Sequence, residues 1–216
     1  MRALFEKDLR LILIRKSSLF IFLIIGIVFT WNFSGSFSGA YLTMLGMLLA
    51  LSTISYDDSD NCMAFLFTLP CTRRQYVYEK YLFIYGFSFV AGIIGLVIVL
   101  IASLLKGEAI NSEMVVDVLV SEIPILVITG GIMIPLQLKY GPEKARIVLI
   151  SIIGLLFAIG AMINKIWGLE EALTSIDEAL NAMNYISIIV AFLVVLVISS
   201  VISLQITRQI ITKKEY

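Results

Sequence analysis

The chain has 216 residues, of which 60% are hydrophobic and 15% charged, with a formal net charge of zero and no histidine. Soluble domains carry about 25% charged residues, so this composition excludes water as the main solvent and predicts one all-α membrane domain over residues 1–216. The absence of histidine excludes Ser-His and Cys-His catalysis and His-ligated metal sites.

Residues 1–16 combine charged side chains with an apolar stripe at helical spacing. Glu6 and Arg10 are four residues apart and can pair. The pattern predicts an interfacial elbow helix on the inner membrane surface that leads into the first span, and a solvated tail is the alternative. The stripe consists of Leu4, Phe5, Leu9, Ile12 and Leu13.

Six apolar segments of about bilayer length predict six membrane-spanning helices. Of the 16 Lys and Arg residues, only Lys106 and Lys165 fall on one side of this arrangement. Basic residues concentrate in cytoplasmic loops, so both termini are predicted to lie in the cytoplasm. The predicted spans are Ser17–Phe33, Ala40–Tyr56, Tyr81–Leu105, Ile123–Leu138, Arg146–Ile163 and Tyr185–Ile206.

The longest predicted cytoplasmic segment, residues 57–80, has the pattern of a helix, a break and a second helix. Asp57, Asp58 and Asp60 offer N-caps for a helix over Met63–Leu69. Pro70 then ends that helix, and the sequence from Thr72 to Gln75 has the capping-box pattern for a helix that enters the third span. Cys62 and Cys71 lie in this segment and are predicted to be ordinary reduced cysteines.

The fourth span, the segment before it and the outer connection between the fifth and sixth spans have less regular sequence patterns. Pro124 and Pro135 bracket the fourth span with Gly130-Gly131 between them, which predicts a kinked or locally unwound helix. Asp117 and Glu122 are expected at the outer interface, although the apolar run Val115–Val120 could also begin the span. Residues 165–183 predict an external interfacial helix, either a lid or a connector.

The predicted span centres contain no Asp, Glu, Lys or Arg, which disfavours proton-coupled and ion-coupled carriers. Gly92 and Gly95 in the third span are expected to let helices pack closely. The chain has no P-loop, so any ATP-driven work requires a partner protein.

Within residues 55–82, the sequence resembles a signature of type V (ABC-2-like) ABC exporter permeases. In that class an acidic start leads through an "LLxxLP" core to an arginine and a lysine before the third span. The architecture of the whole chain is also similar, most of all to small two-gene peptide exporters such as those for phenol-soluble modulins. The matching residues are Ser55–Asp58, Ala64–Pro70, Arg73, Arg74 and Lys80–Leu82.

The resemblance implies a permease subunit of an ATP-driven exporter that moves amphipathic or hydrophobic peptides out through a bacterial cytoplasmic membrane. It implies two copies of an ABC ATPase that hold ATP and magnesium, a second permease protomer in a homodimer, and no nucleic-acid partner. This chain would bind no cofactor and catalyse nothing. The residues implied to dock on the ATPase are Asp57, Asp58, Phe65, Leu66, Phe67, Leu69, Pro70, Arg73, Arg74 and Lys80.

Other functional hypotheses differ from this one in the cargo or in the class of protein. A permease for drugs, antibiotic immunity or sodium would share the family, and a non-transporting scaffold would share the docking segment without a conduit. An intramembrane protease is disfavoured because the sequence lacks paired aspartates inside the spans. The alternative to docking is that the apolar residues of segment 57–80 pack against helices of this protein and not against an ATPase.

Overall fold

The computed structural model describes residues 2–14, 16–58, 62–66, 68, 71–108, 110–167 and 185–213, and the regular structure within these ranges is helical. The all-helical prediction is therefore confirmed. The helices are α1 (Arg2–Ile14), α2 (Lys16–Asn32), α3 (Gly35–Asp58), α4 (Cys62–Leu66), α5 (Arg73–Lys106), α6 (Ser112–Ile125), a π-helix (Leu126–Met133), α7 (Ile134–Tyr140), α8 (Pro142–Trp167) and α9 (Tyr185–Lys213).

In the described ranges, five helical stretches are long and apolar enough to cross a membrane: α3, α5, the stretch Met114–Tyr140, α8 and α9. A sixth is added if α1 and Leu19–Asn32, which meet at 70°, count as one bent span. The protein is thus an all-helical membrane protein with five to six spans. The external helix predicted for residues 165–183 lies mostly outside the described residues.

Local sequence signals fix both ends of α5. The Thr72 hydroxyl accepts a hydrogen bond from the Gln75 amide at 3.3 Å, and the Gln75 side chain accepts one from the Thr72 amide at 3.1 Å. The predicted capping box is therefore confirmed. Gly107 ends the helix with a left-handed φ of 73°, and the 34 residues between span about 50 Å. Because this exceeds a hydrocarbon core of about 30 Å, part of α5 must project beyond the membrane.

The best-packed part of the bundle lies at one end, which we call the basic end because Arg73 and Lys213 lie there. At this end α3 and α7 finish, α5 begins and α9 finishes, and α1 packs across α3 and α5. The hydrophobic core is concentrated here, with members such as Met47, Ile84 and Ile211 almost completely buried. Large apolar side chains of α8 are mostly exposed.

Glycines bring α3 and α5 into close contact, as the sequence predicts for Gly92 and Gly95. A Cβ atom at Gly95 would lie 3.2 Å from Leu42 Cβ and 3.5 Å from Gly39 Cα. A Cβ at Gly92 would clash with the Glu122 carboxyl group of α6 and would also lie 2.9 Å from the Thr43 hydroxyl oxygen of α3. Small residues are needed at these positions for the two helices to approach at this distance.

The predicted break in the fourth span is a π-helix. Leu126–Met133 adopts π-helical geometry between α6 and α7 and contains Gly130 and Gly131. The Ser203 hydroxyl on α9 donates a hydrogen bond to the Gly131 carbonyl at 2.6 Å. Serine hydroxyls of neighbouring helices can satisfy backbone groups that an irregular helix leaves free inside a membrane.

Two expectations about acidic residues are wrong. Asp57 and Asp58 do not precede a new helix as N-caps, because α3 continues through both of them. Glu122 does not lie at the outer interface: its side chain is turned into the bundle and is only 5% exposed. Asp117, one turn earlier, is exposed. The fourth span therefore starts before Ile123 and contains a carboxyl group.

Enlarging Gly95 should destabilise the bundle. We expect Gly95→Val to lower the free energy of unfolding by about 1–3 kcal/mol, because the added atoms force α3 away from α5. Gly86→Val on the same helix is the matched control, since a Cβ at Gly86 meets nothing within 4 Å. Unfolding of both variants in a detergent titration would check this, and equal midpoints would contradict it.

Candidate functional site

The candidate site is the connection between α3 and α5, residues 57–80, where the sequence predicts docking residues. Its short helix α4 has two faces. Met63 and Leu66 are buried in the hydrophobic core, whereas the Phe65 side chain is 69% exposed. The helix is thus anchored to the bundle by one face and presents an aromatic ring on the other. Phe67, Leu69 and Pro70 lie outside the described residues, and their docking role stays a prediction.

The two predicted arginines occupy different environments. The Arg73 guanidinium donates hydrogen bonds to the carbonyl oxygens of Ile211 at 3.0 Å and Thr212 at 3.3 Å. It thereby satisfies free carbonyls at the C-terminal end of α9 and ties the start of α5 to that helix. Arg74 is exposed and borders a shallow cavity of about 290 Å³ together with residues of α9. Of the pair, Arg74 has the accessible position.

Asp57 and Lys80, also predicted for docking, meet inside the protein. Lys80 is completely buried and Asp57 is 3% exposed, and Lys80 Nζ lies 2.7 Å from Asp57 Oδ2. The Tyr76 hydroxyl donates a further hydrogen bond to the same carboxylate oxygen at 3.0 Å. These side chains lie at the base of the connection and are not on its surface, so in this arrangement they position the segment.

Lys7 and Asp8 of α1 complete this arrangement. We call the four side chains of Lys7, Asp8, Asp57 and Lys80 the ion cluster. Asp8 is fully buried and pairs with Lys80, and Lys7 pairs with Asp57. Lys7 Nζ also lies 3.1 Å from Asp8 Oδ1. The cluster therefore joins α1, the last turn of α3 and the second turn of α5.

The charges of the ion cluster balance, since it has two lysines and two aspartates. Burying charges is costly, but removal of one member leaves the others without compensation and costs about 3–5 kcal/mol. Lys80 also donates a hydrogen bond to the Thr53 hydroxyl at 3.1 Å. The neighbouring Glu79 is buried too, and neither carboxylate oxygen has a hydrogen-bond partner among the described residues.

Sequence reasoning missed Lys7 and Asp8. Asp8 stands between Leu4 and Ile12 at four-residue spacing, so it lies within the apolar stripe of α1. A carboxylate in an apolar stripe signals a buried partner, and this was the available clue. The exposed pair of Glu6 and Arg10, 2.6 Å apart, was predicted correctly.

A set of hydroxyls continues from the ion cluster into the spans. The Tyr81 hydroxyl lies 2.6 Å from the Ser203 hydroxyl and 2.8 Å from that of Thr207, both on α9. Ser203 in turn bonds the π-helix. The start of α5 is thereby linked through α9 to the irregular part of the fourth span.

Of the two free cysteines, Cys62 is exposed and Cys71 is partly buried. Burial raises the pKa of the Cys71 thiol above its ordinary value. A raised pKa lowers the thiolate fraction and with it the reactivity. This fits the prediction of an ordinary cysteine.

The sequence matches the model of a family described as ABC-2 family transporter protein over residues 3–208. No curated protein and no solved structure matches the chain. Because the family match covers nearly the whole chain, the protein belongs to the ABC-2 transporter family and is a membrane permease component of such a transporter. Permease domains of this family are non-catalytic, and their ATPase is a separate partner subunit.

The ion cluster should contribute far more to stability than the surface pair on the same helix. We expect Asp8→Asn to lower the free energy of unfolding by about 3–5 kcal/mol, since Lys7 and Lys80 would then share the single carboxylate of Asp57 and one positive charge would be uncompensated. Glu6→Gln, two residues away, removes an exposed pair and should change it by less than about 1 kcal/mol. Detergent unfolding of the two variants tests this, and an equal, small effect would show that the cluster is not buried.

Proposed function

We propose that residues 57–80 are the coupling element of an ATP-driven exporter permease and that α4 docks on the ATPase partner. The observation that carries this proposal is the two-faced α4. Met63 and Leu66 anchor this helix in the core, and the aromatic ring of Phe65 is exposed on its other face. Such a ring can bind in a groove of a partner protein, because aromatic residues that become buried at an interface contribute most of the affinity. Arg74 would contribute to the charged rim, and Phe67, Leu69 and Pro70 are proposed as further contacts.

The mechanism follows from how this element is anchored. When two ATPase subunits close on ATP and magnesium, the docked α4 is displaced. Lys80 and Asp57 connect its two flanking helices, and Asp8 connects them to α1. A displacement of α4 would therefore move α1, α3 and α5 together. The basic end would face the cytoplasm, with both termini there, and α1 would be the elbow helix on the inner surface.

We propose further that two copies of this chain form the conduit, as a homodimer in a bacterial cytoplasmic membrane. The proposal rests on the resemblance to type V exporters and on the mostly exposed apolar surface of α8. The cargo proposed is an amphipathic or hydrophobic peptide that leaves the cell. Drug, antibiotic-immunity and sodium exporters remain the alternatives within the same mechanism.

Docking predicts that Phe65→Asp abolishes binding of the ATPase partner. We expect at least about a tenfold loss of co-purified ATPase, because a charged group would be buried in an apolar groove. Phe65→Met is the matched control and should retain the complex, since it keeps an apolar side chain of similar length. Arg74→Glu should also weaken the complex.

Arg73→Glu is unsuitable for this test, because Arg73 bonds α9 of its own chain. The Phe65 variants must run as single monodisperse species in size-exclusion chromatography. An unchanged amount of ATPase with Phe65→Asp would refute docking by α4. A normal complex that transports no peptide in vesicles would favour the scaffold alternative.

A further inference from the structure

Glu122 is a carboxyl group deep inside the bundle, which the sequence does not predict. Its side chain reaches Gly39 and Thr43 of α3 and Gly92 of α5. Thr43 lies eight residues from the start of α3 and Gly92 fourteen from the end of α5. At 1.5 Å per residue, these contacts lie roughly 12 Å and 21 Å below the helix ends opposite the basic end. The carboxyl group is therefore at membrane depth.

Among the described residues, no ion pair includes Glu122. Its Oε1 has no hydrogen-bond partner in the part of the chain that the structure describes. The Thr43 hydroxyl is hydrogen-bonded to the Glu122 carboxyl group and also lies 3.1 Å from the Gly39 carbonyl oxygen, so the polar contact of Glu122 is neutral. Ionisable residues are expensive at membrane depth and are kept there for a function or paired with a partner. The ion pairs of the described residues give Glu122 no cationic partner.

Glu122 also lines a cavity of about 510 Å³ between α5, α6 and α9. The walls are mainly apolar, formed by residues such as Phe89, Leu119 and Leu193. Two hydroxyls, of Tyr85 and Ser200, lie 3.0 Å apart and complete the polar part of the lining. Small-molecule sites have this volume range and this composition: apolar walls with a few polar groups that fix orientation.

We propose that this cavity is a binding site for a hydrophobic molecule that carries one cationic amine, with Glu122 as its anionic anchor. The amine would supply the missing counter-charge, and the apolar body would occupy the space between the three helices. This inference rests on the proposed permease function and specifies its cargo chemistry: an apolar chain or ring with an amine, such as a lysine side chain within a hydrophobic peptide segment.

The test uses the purified full-length chain in lipid nanodiscs and two fluorescent probes that differ in one charge. The probes are dansylcadaverine, a hydrophobic primary amine, and its N-acetyl derivative, which is neutral. We expect wild type to bind the amine at least about tenfold more tightly, because only the amine forms a desolvated ion pair. Glu122→Gln, which keeps the size of the side chain, should erase this preference.

Two further variants separate the buried charge from surface charge and locate the bound probe. Asp117→Asn removes an exposed charge from the same helix and should leave the preference unchanged. Leu193→Trp fills the cavity from α9 and should weaken binding of both probes by about tenfold or more. Leu193 is itself 46% exposed, so a larger side chain there is compatible with folding.

Three results would overturn the proposal: no preference for the amine in wild type, a preference that persists in Glu122→Gln, or binding that Leu193→Trp leaves unchanged. Neither the ATPase nor transport enters this assay. A failure of the docking proposal would therefore leave the probe result intact, and a negative probe result would leave α4 docking unaffected.

Discussion

The central constraint in this protein is a cluster of four paired charges, three of them buried, at the base of one connection. Lys80 and Asp8 are fully buried, and charges in a medium of low dielectric must stay paired. Because the four groups come from α1, α3 and α5, separating α3 from α5 breaks the Asp57–Lys80 pair, and withdrawing α1 breaks the Lys80–Asp8 and Lys7–Asp57 pairs. The position of α4, which the same helices flank, depends on this arrangement.

The spans extend this constraint away from the ion cluster. Close packing at Gly95 brings α3 and α5 together at a second place, away from the ion cluster. Tyr81 joins α5 to α9 through two hydroxyls, and Ser203 joins α9 to the π-helix. Polar contacts join the helices at the basic end, and the π-helix lies deeper in the bundle. In such an arrangement, a displacement at the basic end is expected to change the helix packing inside the membrane. The exposed Phe65 lies where such a displacement would be applied.

Sequence patterns predicted the local features because each rests on neighbouring residues. The capping box of Thr72 and Gln75 and the irregular helix at Gly130-Gly131 follow from short-range rules. The small residue at Gly95 predicted close packing, but not the helix against which it packs. Residues 55–82 also carried the resemblance to the transporter family, which the match over residues 3–208 supports. The ion cluster could not be predicted in this way. Asp8 and Lys80 are 72 residues apart in sequence, and their pairing depends on how α1 folds back at 70°. Glu122 was misplaced for a related reason, since the glycines that accommodate it lie on other helices.

The most direct test of the central claim measures whether α1 and α4 move as one body. A spin label on the exposed native Cys62 and a second on Glu6→Cys, with Cys71 replaced by serine, report the distance between the two helices. Double electron–electron resonance on the ATPase complex, diluted with unlabelled chain, gives this distance with and without a non-hydrolysable ATP analogue. The account predicts one narrow distribution that is the same in both states. A distribution that shifts or splits when the nucleotide binds would contradict it, because α4 would then move independently of the helices that the ion cluster joins.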